Sequence, residues 1–103
     1  MPYASGPMDE RQKRLAFRAW RRGFREIDLV LGRFADARLP GLDEAALAEF
    51  ERLLGAPDQA VYAWIVEAEP PPPEFDTPLL ALIRAFTYLN RPPANGPDSE
   101  TQP

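Results

Sequence analysis

The chain has 103 residues, 45% of them hydrophobic, a formal net charge of −4, and neither cysteine nor histidine. That length suits one small domain with its own core, and no apolar run reaches the ~18 residues of a membrane span. Disulfides, thiolate chemistry, imidazole bases and His-ligated metals are all excluded, and with Lys13 the sole lysine the expectation is a protein that is not an enzyme.

Residues 1–8 read as a flexible extension, in which Met1 to Pro7 lack the apolar stretch of a secretory signal. The first helix is predicted from Asp9 to about Arg21, with acids at its start and arginines at its end, as the helix dipole favours. Leu15, Phe17 and Trp20 recur along it at roughly helical spacing. The second helix runs from about Gly23 to Ala37 and stops before the breaker pair Pro40-Gly41. Its Phe24, Ile27, Leu31 and Phe34 fall at i, i+3, i+7 and i+10 and make one apolar stripe. Gly32 interrupts this helix at modest cost, which a close helix crossing would explain.

Asp43 is a suitable N-cap for a third helix, with Leu42 and Leu47 placed for a hydrophobic staple. Leu47, Phe50, Leu53 and Leu54 form its inner face, and Gly55 stops it. Asp58 is read as the cap of a short fourth helix carrying Val61, Tyr62, Trp64 and Ile65, with Trp64 as a core anchor. Pro70 to Pro73 follow as a stiff connector. Thr77-Pro78 opens a fifth helix, a cap followed by proline at the first helical position. Leu79, Leu82, Ile83, Phe86 and Leu89 are expected to line one side of it, and residues 91–103 have the composition of a disordered tail. The domain is thus residues 9–90, all-α, a small five-helix bundle.

The corner between the first two helices concentrates charge. Arg21, Arg22, Arg25, Glu26 and Asp28 surround Gly23 and are expected to be displayed rather than packed. Glu26 falls in the first turn of the second helix, where its carboxylate faces free N–H groups. An exposed Arg22–Glu26 pair is worth only ~0–1 kcal/mol, so stability is a poor reason for so many charges. A docking surface is the sharper reading, and a solvated helix corner is the plainer one, which the spacing alone favours. Nine of the 12 basic residues lie between Arg11 and Arg38 and 11 of the 16 acids follow residue 38, which leaves residues 1–38 at net +4 and the rest at net −8. Such a first third can address nucleic acid, an anionic cofactor or an acidic protein patch, and can equally be a solvated helix face with Asp9, Glu10, Glu26 and Asp28 interleaved.

The run Arg14-Leu15-Ala16-Phe17-Arg18-Ala19-Trp20-Arg21-Arg22-Gly23-Phe24-Arg25-Glu26-Ile27-Asp28 resembles the SdhE family, also called succinate dehydrogenase assembly factor 2. The R-G-x-x-E motif of that family stands here as Arg22, Gly23 and Glu26. The similarity continues through Gly32 to Ala35, Phe50 to Leu54, Tyr62 to Ile65 and Leu79 to Phe86, in order and spacing, over about residues 9–89. Alone the motif is weak; inside the five-helix frame it is specific.

The resemblance implies a five-helix bundle that binds the flavoprotein subunit of succinate dehydrogenase, and in bacteria that of fumarate reductase. Such a protein promotes covalent attachment of FAD to a histidine of the client and holds no firmly bound cofactor itself. Arg22, Gly23 and Glu26 would then meet the client, with Arg21, Arg25 and Asp28 as neighbours. The implied state is a monomer that neither inserts into a membrane nor binds nucleic acid. Its implied location is the cytoplasm in a bacterium or the mitochondrial matrix in a eukaryote. Two rivals stand beside this reading. A small nucleic-acid-binding domain fits the basic first third but sets Glu26 and Asp28 against phosphates. An antitoxin-like or cytoskeleton-associated interaction protein would capture a different partner.

Overall fold

Asp9 opens the first of five α-helices in the computed structural model, which describes residues 8–90; the expected tail, and the extension as far as residue 7, lie outside the described residues. The Asp9 carboxylate accepts from Gln12 N at 2.8 Å while Gln12 Oε1 accepts from Asp9 N at 2.9 Å, a complete capping box. Helix α1 (Glu10–Ala19) ends sooner than its pattern suggested, because Trp20 closes it and the chain turns. Phe24 is extended (φ −149°, ψ 158°) and stands just before α2 (Arg25–Arg38), so α2 begins at Arg25 and not at Gly23. A 3-10 turn (Leu39–Gly41) occupies the predicted Pro-Gly break. Asp43 caps α3 (Glu44–Leu54) by accepting from Ala46 N at 2.9 Å, and Gly55 closes that helix without a left-handed φ.

The fourth helix corrects one expectation. Pro57 is the cap residue of α4 (Asp58–Ile65), and Asp58 is the first helical residue, with its carboxylate turned elsewhere. Helix α4 ends in a Schellman turn: Ala68 N and Glu67 N bond back to Ala63 O (2.8 Å) and Trp64 O (3.3 Å). Glu67 occupies the left-handed position usually given to glycine, at φ 63°. Of the four prolines, Pro72 has polyproline dihedrals and Pro73 opens a 3-10 turn (Pro73–Phe75). That turn stacks Phe75 on Trp64, ring centroids 5.1 Å apart, so the connector also roofs part of the core. Thr77 Oγ1 accepts from Leu80 N at 3.2 Å and caps α5 (Pro78–Asn90), as its sequence predicted.

All four predicted inner residues of α3 are buried, as are Ile27, Leu31 and Phe34 of α2 and the anchor Trp64. Phe34 sits between Phe50 (5.8 Å) and Phe86 (5.7 Å), which joins α2, α3 and α5. Met8, the last residue of the expected extension, is partly buried against this core. Two periodicity readings fail. The inner face of α1 is Leu15, Ala16 and Ala19, and Phe17, about 200° round the helix from Leu15, is 59% exposed. In α5 the buried set is Leu79, Leu80 and Ile83, whereas Leu82 and Leu89, each more than a quarter turn off that face, are largely exposed.

Gly32 is explained by α1. The Trp20 ring lies on it, and any β-carbon there would overlap the indole. Trp20 Nε1 then donates to Asp36 Oδ2 at 3.1 Å. Arg11 ties α1 to α3, bonding Glu44 (2.6 Å) and Glu51 (3.0 Å), and its guanidinium pKa is raised above the ordinary value, chiefly by the Glu44 bond. These contacts fix the angle at which α1 meets α2, and therefore the shape of the corner.

Candidate functional site

The turn Trp20 to Phe24 is stitched from beneath. Asp28, in the first turn of α2, reaches back over it, and its Oδ1 accepts from Arg22 N at 2.6 Å and Gly23 N at 3.4 Å. The Arg22 side chain goes inward, only 9% exposed. Its Nη1 donates to Leu54 O, its Nη2 to Ala56 O at 2.9 Å and to Asp58 Oδ1 at 2.6 Å. Two of these acceptors are free carbonyls where α3 ends, the side of a helix that attracts a cation. Arg22 therefore clamps the α1–α2 corner onto the α3–α4 junction. Its Nε is buried without a partner, so the clamp works through the two terminal nitrogens.

Three expectations change here. Arg22 and Asp28 are packed, not displayed, because each satisfies backbone groups that would otherwise lack partners. Arg22 does not pair with Glu26; Asp58 takes that place. Gly23 is open on its outer side, but a β-carbon on it would stand 2.5 Å from Asp58 Oδ2. The reason for glycine is thus at least partly internal. It leaves room for the carboxylate that holds Arg22.

What remains on the surface is Arg21, the Gly23 backbone, Arg25 and Glu26, all exposed. They do not form one patch. Arg21, Arg22, Gly23, Arg25 and Asp28 line an open depression together with Trp20, Phe24 and Leu29. Glu26 does not line that depression but lines a groove of about 580 Å³ between α2, the end of α4 and α5, whose walls include Leu29, Tyr62, Glu67 and Arg84. Arg25 lines both and stands on the ridge between them. Phe24 supports this ridge from within, edge-on to Tyr62 at 5.4 Å.

The residues that sequence reasoning missed are Asp58, the carbonyls of Leu54 and Ala56, and Tyr62. Asp58 carried a competing local reading as a helix cap, and nothing near it marks a partner 36 residues earlier. Chemically, the edge offers guanidinium forks and one carboxylate, groups suited to charge-assisted hydrogen bonds with another macromolecule. Among the described residues no group of three or more acids could hold a metal ion, and no helix is long and apolar enough to cross a membrane.

A profile of the family described as flavinator of succinate dehydrogenase matches residues 13–87. Among curated proteins, the chain is 34% identical over 80 residues to a mitochondrial succinate dehydrogenase assembly factor 2 of Drosophila virilis, covering 76% of this chain and 51% of that protein. It is 34% identical over 77 residues to the protein of that name in Dictyostelium discoideum, covering 75% and 55%. The assembly factor 2-B of Drosophila melanogaster is 30% identical over 80 residues, covering 76% and 51%. The chain spans about half the length of the curated relatives it matches. The family profile's matched segment holds the whole corner and all of the groove's lining residues except Tyr88.

Proposed function

The chain belongs to the family of flavinators of succinate dehydrogenase, and from that premise we propose that it is a non-catalytic assembly factor. It binds the flavoprotein subunit of succinate dehydrogenase and promotes covalent attachment of FAD to that subunit. The flavoprotein subunit of fumarate reductase is the second client to test. The working surface is the R-G-x-x-E corner, and the observation that carries this reading is the division of labour within it. Arg22 and Asp28 build the corner, while Arg21, Arg25 and Glu26 stay exposed around it, Arg21 at the depression, Glu26 at the groove and Arg25 on the ridge between them.

The mechanism follows from what the chain has and lacks. It has no histidine, so the acceptor of the flavin is supplied by the client. Its own contribution is differential binding: by preferring the client conformation in which FAD and the acceptor are in contact, it raises the population of that state. A tenfold preference is worth about 1.4 kcal/mol. On docking, Arg25 and Glu26 lose water and their hydrogen bonds strengthen accordingly. The low profile of Gly23 keeps that approach close. FAD remains with the client throughout, and no firmly bound cofactor is assigned to this chain. The protein acts as a monomer where the flavoprotein is folded, the bacterial cytoplasm or the mitochondrial matrix, and the relatives are named mitochondrial.

Covalent flavin fluorescence of the client subunit in a denaturing gel tests this. The subunit is produced with this protein, without it, and with its Glu26→Ala variant. Strong fluorescence with the unaltered protein and weak fluorescence in the other two lanes is expected. Equal fluorescence in all three would refute the role for that client.

A further inference from the structure

Beyond the R-G-x-x-E corner, the outer face of α1 is an aromatic-centred cationic strip. Arg14, Phe17 and Arg18 stand at i, i+3 and i+4, so they share one face, and all three are exposed. Arg21, in the turn that follows, lays its guanidinium 3.8 Å from the centre of the Phe17 ring and so joins that face. Among the described residues none of these three arginines forms an ion pair, whereas Arg11, Lys13 and Arg22 all do. The single carboxylate of α1, Glu10, is turned to Lys13 at 3.7 Å. The helix therefore spends its carboxylate and its inner apolar residues elsewhere, and leaves this face with three arginines outside any ion pair around an exposed phenylalanine, one side of whose ring Arg21 covers.

We propose that this strip is a second docking element, which receives an acidic segment of the client flavoprotein. That segment would carry two carboxylates about 6 Å apart, the spacing of one helical turn between Arg14 and Arg18, and an apolar side chain between them for Phe17. The inference rests on the assembly-factor reading and adds to it the chemistry of the partner surface. Charge complementarity selects the occupant. A strip of this sign without acids attracts an anionic surface, and the ring gives it an apolar centre that a purely electrostatic contact does not need. Arg21 belongs to both elements, since it also lines the depression at Gly23, so one partner can cover the strip and the corner together.

The test is binding of the purified flavoprotein subunit to the full chain by calorimetry at low and at physiological salt. It uses the unaltered protein, Arg14→Glu/Arg18→Glu, Arg14→Lys/Arg18→Lys and Phe17→Ala. The exposed positions should leave thermal unfolding unchanged, which is checked first. Charge reversal is expected to raise Kd tenfold or more at low salt and to flatten the salt dependence. The lysine pair should stay within about threefold, and Phe17→Ala should lose three- to tenfold at both salts. Binding of the unaltered protein that charge reversal leaves within twofold overturns this inference and leaves the assembly-factor reading standing. No binding by the unaltered protein overturns both. Retardation of duplex DNA at physiological salt that charge reversal abolishes would assign the strip to nucleic acid and overturn it as well.

Discussion

Arg21 and Arg22 differ in what lies beneath them. Arg22 points at the place where α3 ends and α4 begins, where two carbonyls and the Asp58 carboxylate wait for a donor, and it is drawn in. Arg21 points at an exposed ring and stays in solvent. Two guanidiniums one residue apart thus do opposite work, one holding the corner and the other displaying its charge. The lesson extends to the acids. Asp28 bonds backbone N–H groups of the turn, while Glu26, two residues earlier on the same helix, lines the groove. A motif that looks like one patch of charge interleaves packed side chains, Arg22 and Asp28, with exposed ones, Arg21, Arg25 and Glu26.

The largest effect is expected from Arg22→Ala. It strands Asp58 and two carbonyls at once, at a cost of about 3 kcal/mol, or roughly 15 °C in Tm for a domain of this size. Thermal and urea unfolding would measure it, and a loss below about 0.5 kcal/mol would show that Arg22 is no clamp. Gly23→Ala comes next, at about 1–2 kcal/mol from overpacking against Asp58. A double-mutant cycle with Asp58→Ala sharpens this: the cost of Gly23→Ala should shrink once the carboxylate is gone. If it persists in full, the steric reason lies elsewhere.

Asp28→Ala should cost about 1 kcal/mol, the usual value for a lost side-chain cap of backbone donors, and it should make the turn's amides exchange faster with solvent. The smallest effects on stability belong to Arg21→Ala and Glu26→Ala, each within about 0.5 kcal/mol. Their weight falls on the client, where covalent flavin fluorescence should drop although the fold is intact. A Glu26→Ala protein that unfolds early would erase the distinction between packed and exposed side chains.

Much of the bundle is legible without coordinates, and the reasons are local. Asp43 and Thr77 cap their helices because a short side chain satisfies N–H groups two or three residues on, a geometry the chain itself dictates. Leu47, Phe50, Leu53 and Leu54 face inward because helical spacing gathers them on one side. Where the pattern is broad, as with Phe17, Leu82 and Leu89, spacing admits two faces, and the neighbouring helices choose. The charged corner was legible as a place and as a set of side chains. Its division was not, because that depends on contacts across the bundle.

By itself, then, the sequence determined an all-α domain, the caps Asp43 and Thr77, most of its core and the position of the charged corner, all properties of periodicity and short-range hydrogen bonding. Only the tertiary structure decided that Asp58 belongs to Arg22, that Trp20 fills the space of a side chain at Gly32, and that Arg22 and Asp28 turn inward while Arg21, Arg25 and Glu26 remain outside. Those outcomes turn on which unsatisfied carbonyls and carboxylates a folded chain brings within reach, and that is set by the packing of α1 and α2 on α3 and α4.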